Sequence, residues 1–200
     1  MIVNYLSGVI YPILSWVVWS LFLIFVAILV LRLVLSYADP NPFGAIGRLG
    51  YKIRKLTEKW VYPSARFLAA FRIDTRLAPI LTILVALVIT YFAMSIVHET
   101  FRVIDKFGEV AATGDVRAFI GLIIYALLDV LVLFIFIRFV SAWFVFHRKT
   151  FLGFVKRVTD PIMIPAQRLI PTIGMFDISA MIVLILISFL QMIVINVFGL

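Results

Sequence analysis

Four long apolar runs alternate with charged segments along the chain, at residues 9–37, 77–97, 118–146 and 178–200. A helix needs about 20 apolar residues to cross the hydrocarbon core of a bilayer. The pattern therefore predicts four transmembrane helices. The first 31 residues contain no charge, and they lack the basic start and small-residue cleavage site of a secretory signal. We therefore interpret the first run as a membrane crossing.

In each half of the chain, one basic segment separates the two crossings. We call residues 38–76 the first connector and residues 147–177 the second connector. Apolar residues recur in both at steps of three or four, which is typical of one face of a helix. We predict that each connector holds a cytoplasmic amphipathic helix in the membrane interface. Proline disfavours a continuing helix, so we expect a stop at residues 39–42 and breaks within the connectors at Pro63, Pro161, Pro165 and Pro171.

A short motif occurs once in each connector. Threonine, acid, proline and arginine recur with a constant offset of 102, as Thr57, Glu58, Pro63 and Arg66 and as Thr159, Asp160, Pro165 and Arg168. Arg32 and Arg138 precede the two copies, and Asp74 and Asp177 follow them. Such self-similarity indicates a repeated structural unit.

The predicted fold is an all-α membrane protein with four transmembrane helices in two parallel-repeat hairpins, each with a cytoplasmic interfacial helix segment. The first repeat comprises residues 1–97, and the second comprises residues 118–200. Residues 98–117, the middle connector, are expected to form a short exposed helix outside the membrane.

Charge predicts the orientation. Lysine and arginine number eight in the first connector and five in the second, whereas the middle connector has three against four acids. Basic segments stay on the cytoplasmic side. We expect a multi-pass protein of the bacterial inner membrane, with both connectors cytoplasmic and both termini outside. In a chain that is 64% hydrophobic with a net charge of +8, the expected partners of the basic residues are anionic lipid headgroups rather than nucleic acid.

These motifs resemble those of the YggT family of bacterial and chloroplast membrane proteins, which carries two such repeats. The first copy matches at Arg32, Tyr37, Asn41-Pro42-Phe43, Thr57-Glu58, Pro63 and Arg66. The second copy matches at Arg138, Trp143, Thr159-Asp160-Pro161, Pro165, Arg168, Ile170-Pro171, Gly174 and Asp177-Ile178-Ser179.

Several positions depart from the family's pattern. Lys59 replaces a proline, Arg148-Lys149-Thr150 replaces an Asn-Pro pair, Ala65 and Gln167 each replace one member of an arginine pair, and Arg76 replaces the serine after Asp74. The resemblance implies an integral membrane protein. Its relatives are linked to cell-division gene neighbourhoods, osmotic tolerance, plastid nucleoid organisation and cytochrome b6 maturation, which implies a role in organising membrane complexes rather than a shared reaction.

The repeated charged residues allow two interpretations. Arg32, Arg138, Arg66 and Arg168 can bind lipid phosphates or a partner, with Glu58, Asp160, Asp74 and Asp177 orienting them. The same residues can instead form structural ion pairs that hold each interfacial helix on its hairpin, because a charge near hydrocarbon must be paired or hydrated. Trp60 occupies an aromatic-belt position, where anchoring in the interface is the usual role.

Asp129 is the one acid inside a predicted crossing. It can lie on a proton or cation path, hydrogen-bond a neighbouring helix, or contact a partner subunit. His98 and His147 are predicted on opposite sides of the membrane, so they cannot share a metal. No catalytic motif, metal site or cofactor site is indicated, and the chain has no cysteine.

The sequence therefore predicts a non-enzymatic membrane scaffold or an accessory subunit that assists assembly of a larger membrane complex. It would bind anionic lipid through its connectors and other integral membrane proteins, or a second copy of itself, through its crossings. The alternative is a small ion channel or transporter for osmotic or ion homeostasis, with Asp129 in the path.

Overall fold

The computed structural model describes residues 5–38, 44–141, 149–170 and 177–200, and all regular structure within these ranges is helical. The elements are a π-helical turn at Leu6–Ile10, α1 at Tyr11–Ala38, α2 at Ala45–Ala70, a 3₁₀ turn at Thr75–Leu77, α3 at Ala78–Thr113, α4 at Val116–Ser141, α5 at Lys149–Leu169 and α6 at Ile178–Phe198. The prediction of an all-α protein is confirmed for these residues.

Four stretches are long and apolar enough to cross a membrane: Leu6–Tyr37, Thr75–Thr113, Val116–Ser141 and Ile178–Phe198. They coincide with the four predicted crossings, and they identify a multi-pass membrane protein. Other sequence-based predictions fall outside the described residues, namely those on Asp39, Pro40, Asn41, Pro42, Phe43, Trp143, His147, Arg148, Pro171 and Gly174.

Pro63, Pro161 and Pro165 do not break the connector helices, so the expectation of breaks at these three positions was wrong. Pro63 lies inside α2, and Pro161 and Pro165 lie inside α5. Proline fixes φ near a helical value, and its penalty comes from one missing hydrogen bond and a clash with the preceding turn. Val61 and Leu68, on either side of Pro63, are buried in the core of their unit. Packing of this face offsets the lost hydrogen bond.

The middle connector was also expected to be a separate short helix, whereas α3 continues through it to Thr113. One of its acids is bonded to another segment: Asp105 accepts hydrogen bonds from the backbone N–H of Ser7 at 2.8 Å and of Leu6 at 3.2 Å. The helix ends at Gly114, whose φ of 69° favours glycine. Polar composition alone therefore does not end a helix here.

The chain forms two compact units. The N-terminal unit is Ser15–Phe92. Its core joins α1, α2 and the start of α3 through Leu29, Val61, Leu68 and Ala78.

The C-terminal unit combines Ala93–Leu200 with Met1–Leu14. Within it, α4 packs against both α5 and α6, and α5 packs against α6. A second apolar cluster, Val103 with Leu122 and Tyr125, joins the end of α3 to α4.

Candidate functional site

Arg32 connects a crossing to the first connector. It lies near the end of α1 and donates from Nη1 to Thr57 Oγ1 at 2.7 Å and from Nη2 to Glu58 Oε2 at 3.1 Å. Thr57 is buried, and its hydroxyl also donates to the Ile53 carbonyl one turn earlier at 2.7 Å. The threonine therefore serves as acceptor and donor at once, and α2 is held against α1.

The same arrangement occurs in the C-terminal unit. Arg138, near the end of α4, donates from Nη1 to Thr159 Oγ1 at 3.0 Å and to Asp160 Oδ1 at 2.5 Å. Thr159 is fully buried and donates to the Val155 carbonyl at 2.9 Å. We call these two arrangements the arginine clamps. The sequence motif included both threonines, but only the clamp geometry shows what they do.

The clamp arginines are largely buried, with side-chain exposures of 13% for Arg32 and 15% for Arg138. Their acids are more accessible, at 54% for Glu58 and 40% for Asp160. A buried guanidinium is stable only when paired, and charge-assisted bonds are about twice as strong as neutral ones. Each clamp therefore neutralises its arginine within the protein.

The other arginines of the motif lie elsewhere. Arg66 and Arg168 are exposed, and neither guanidinium has a hydrogen-bond or ion-pair partner among the described residues. Glu58 and Asp160 contact the clamp arginines instead of these two. Both guanidinium groups are therefore accessible to an anion outside the chain.

The repeated aspartates act at helix starts. Asp74 accepts from the backbone N–H of Arg76 at 2.8 Å, and Asp177 accepts from that of Ala180 at 3.2 Å. Carboxylates are favourable there because the first N–H groups of a helix have no internal partner. Asp177 also accepts from Gln167 Nε2 at 2.7 Å, which links the end of α5 to the start of α6.

Trp60 lies on α2 with about half of its surface exposed. Its ring contacts Phe25 of α1 edge-to-face, with centroids 6.2 Å apart. This contact adds a second, aromatic attachment of α2 to α1 one turn beyond the clamp.

Asp129 is buried in α4 and contacts α3. Its Oδ2 lies 2.8 Å from the Thr100 hydroxyl, and Tyr125, one turn earlier, donates to Glu99 Oε2 at 3.2 Å. Glu99 is paired in turn with Arg102 at 3.0 Å. Three interpretations were open for Asp129, and the contact with Thr100 agrees with a hydrogen bond to a neighbouring helix, α3. His98 packs on the ring of Tyr11 with centroids 4.4 Å apart.

A cavity of about 570 Å³ opens in the N-terminal unit, where the end of α1, α2 and the start of α3 meet. Three arginines line it, Arg32, Arg54 and Arg76, against the single acid Glu58. We call it the arginine cavity. The sequence motif does not include Arg54, and Arg76 was noticed only as a departure from the family's pattern, so the cavity was not predicted.

Among the described residues, no group of three or more His, Asp and Glu side chains could hold a metal ion.

The C-terminal clamp lies within the part of the chain that matches a protein-family model. The model of the CCB3/YggT family matches residues 117–198, which cover α4, α5 and α6. Residues 117–198 are therefore similar to a YggT domain, and we use that name for them. No curated protein and no solved structure matches the chain. Arg138, Thr159 and Asp160 thus belong to the YggT domain, and Arg32, Thr57 and Glu58 reproduce their geometry in the unmatched half.

Proposed function

We propose that the chain is a non-enzymatic scaffold or accessory subunit of a larger membrane protein complex, and that it binds anionic lipid at its two connectors. The proposal includes a finer fold: two parallel hairpins, α1 with α3 and α4 with α6, each with an interfacial helix on the cytoplasmic side of the bacterial inner membrane.

The observation that carries this proposal is the repeated arginine clamp. Each clamp uses one buried arginine to hold a connector helix at the end of a crossing. The charge of each clamp arginine is therefore neutralised within the protein, whereas the other basic residues named below are exposed. On α2 they are Arg48, Lys52, Arg54, Lys55, Lys59 and Arg66, and on α5 they are Lys156, Arg157 and Arg168.

Bulky apolar side chains are exposed on the same helices. Leu56 is 78% exposed on α2, and Leu169 is 82% exposed on α5. A helix that exposes both kinds of side chain is favoured at a bilayer surface, where apolar groups enter the headgroup boundary and basic groups meet phosphates. The crossings offer further apolar surface to partner proteins, such as Trp16 on α1 and Ile185 on α6.

Complex formation provides the test. We expect the wild-type chain, extracted from membranes in a mild detergent, to migrate in a native gel within a larger complex that is enriched in anionic lipid. The double variant Arg66→Gln with Arg168→Gln should lose most of that complex, because both guanidinium groups are exposed and have no partner among the described residues. The matched control, Arg66→Lys with Arg168→Lys, keeps the charge and should retain the complex.

The transport alternative predicts the opposite. If the chain migrates alone and both double variants behave as wild type, the scaffold proposal is wrong. A flux through reconstituted vesicles that disappears in Asp129→Asn would then establish transport. Our proposal expects no such flux, since Asp129 is buried against Thr100.

A further inference from the structure

The arginine cavity is lined by more positive than negative groups, namely three arginines and one glutamate. Arg32 is neutralised by Glu58 at 3.1 Å. Arg54 and Arg76 also line the cavity, and neither guanidinium has a hydrogen-bond or ion-pair partner in the described part of the chain. Two uncompensated guanidinium groups around one cavity favour an anion of about two charges.

The second half of the chain fills the matching positions differently. Ala65 lines the cavity, whereas its counterpart Gln167, 102 positions later, is bonded to Asp177 at 2.7 Å. Arg76 lines the cavity, whereas its counterpart Ser179 is fully buried and donates to the Ile170 carbonyl at 2.6 Å. A small residue and a basic residue therefore make the N-terminal site open and cationic.

The rest of the lining identifies the kind of anion. Thr75 supplies a hydroxyl group, while Leu35 supplies apolar surface. The volume of about 570 Å³ lies within the range of small-molecule sites, roughly 300–1,000 Å³. The cavity lies at the end of one crossing and the start of the next, which is the depth of lipid headgroups.

We infer that the arginine cavity binds a single phosphate group, with Arg54 and Arg76 as its ligands. The inference rests on the proposed function, and it names one built site within a surface otherwise described only as basic. The phosphate can belong to an anionic phospholipid or be free in solution. The apolar surface of Leu35 favours the lipid, because a free phosphate gains nothing from contact with it.

Native mass spectrometry of the full chain in detergent tests this, with phosphatidic acid and phosphatidylcholine as probes. We expect the wild type to bind one phosphatidic acid molecule and to show no comparable affinity for phosphatidylcholine. Ala65→Gln fills the cavity without changing the charge, and it introduces the residue that α5 already carries at Gln167. This variant should weaken the complex by about tenfold, as should Arg54→Gln with Arg76→Gln.

The matched control is Ala69→Gln, which adds the same side chain to an exposed position one turn along α2. It should bind within about twofold of the wild type, since no contact of the cavity changes. Inorganic phosphate as competitor distinguishes the two sources. Displacement at equal or lower concentration than phosphatidic acid assigns the cavity to free phosphate, and no displacement assigns it to the lipid.

Wild-type affinity in Ala65→Gln would overturn the inference. If Arg54→Gln with Arg76→Gln is nevertheless weakened, lipid binding is diffuse attraction to the connector surface, and the proposed function stands without the cavity. If the wild type binds both lipids equally, the lipid-binding part of the proposed function fails together with the cavity.

Discussion

We expect the clamp arginine of the YggT domain to contribute to stability through its bonds to Thr159 and Asp160. Arg138→Gln removes the ion pair to Asp160 and the bond to Thr159, and we expect it to destabilise the folded chain by about 1–3 kcal/mol. The lower part of the range applies if water reaches Asp160, which is already 40% exposed. Thermal unfolding in detergent measures the change, with exposed Arg168→Gln as the control that should leave the midpoint unchanged.

Equal midpoints for Arg138→Gln and the wild type would contradict a structural role for the clamp. The same comparison in the N-terminal unit uses Arg32→Gln, with exposed Arg66→Gln as its control. If both clamps act alike, both arginine variants should unfold earlier than their controls.

Thr100 supplies the polar contact of the buried acid in α4. Thr100→Val keeps the shape of the side chain but leaves Asp129 without the hydroxyl at 2.8 Å, so we expect a loss of about 1–3 kcal/mol in unfolding free energy. Asp129→Asn keeps an oxygen in place and should change stability less. Thermal unfolding of the two variants side by side gives the order, and a larger loss in Asp129→Asn would show that the negative charge itself stabilises the fold.

The sequence motif identified individual charged residues more easily than the residues to which they bond. The repeat identified Glu58 and Asp160, yet they bind Arg32 and Arg138, which lie 26 and 22 positions earlier. Which arginine an acid reaches depends on how two helices meet, and a motif does not contain that information. The arginine cavity was missed for the same reason, since Ala65 matters there because it leaves space.

At the scale of helices, α4 and α6 approach each other closely at Gly121. A Cβ atom there would lie 2.4 Å from the Cβ of Phe198, which is well inside van der Waals contact. We expect Gly121→Ala to destabilise the YggT domain by about 1–3 kcal/mol through overpacking. Gly153→Ala is the matched control, because nothing lies within 4 Å of its added atom.

Gly153 is within α5, where alanine has a higher helix propensity than glycine by about 1 kcal/mol. The control should therefore raise the thermal midpoint or leave it unchanged. A fall in both variants would mean that glycine is needed for reasons other than the contact with Phe198.

Helix existence followed from the sequence, whereas helix boundaries did not. The four apolar runs gave the four crossings because hydrophobic length alone decides that a segment can span a bilayer. Proline and polar residues were misleading because their effect depends on packing. Pro63 stays within α2 beside a buried core, and the charged end of α3 stays helical where Asp105 meets Ser7.

At the scale of the whole chain, the two units share one device and differ in what surrounds it. Both hold a connector helix with an arginine, a threonine and an acid. In the C-terminal unit Gln167 bonds to Asp177, while in the N-terminal unit Ala65 and Arg76 line a cavity. The two units therefore share one framework, to which the N-terminal unit adds an open, basic cavity.

Parallel hairpins make a prediction about sidedness that cysteine labelling can test, because these 200 residues contain no cysteine and give no background. Ala69→Cys, Ala112→Cys and Leu169→Cys place single thiols at exposed positions of the first, middle and second connectors. In right-side-out vesicles, a membrane-impermeant maleimide should label Ala112→Cys at once and the other two only after permeabilisation. We expect this pattern because the first and second connectors carry an excess of lysine and arginine, which keeps them on the cytoplasmic side. Labelling of Ala69→Cys and Leu169→Cys from opposite sides would mean that the hairpins are inverted, and the parallel repeat would then be wrong.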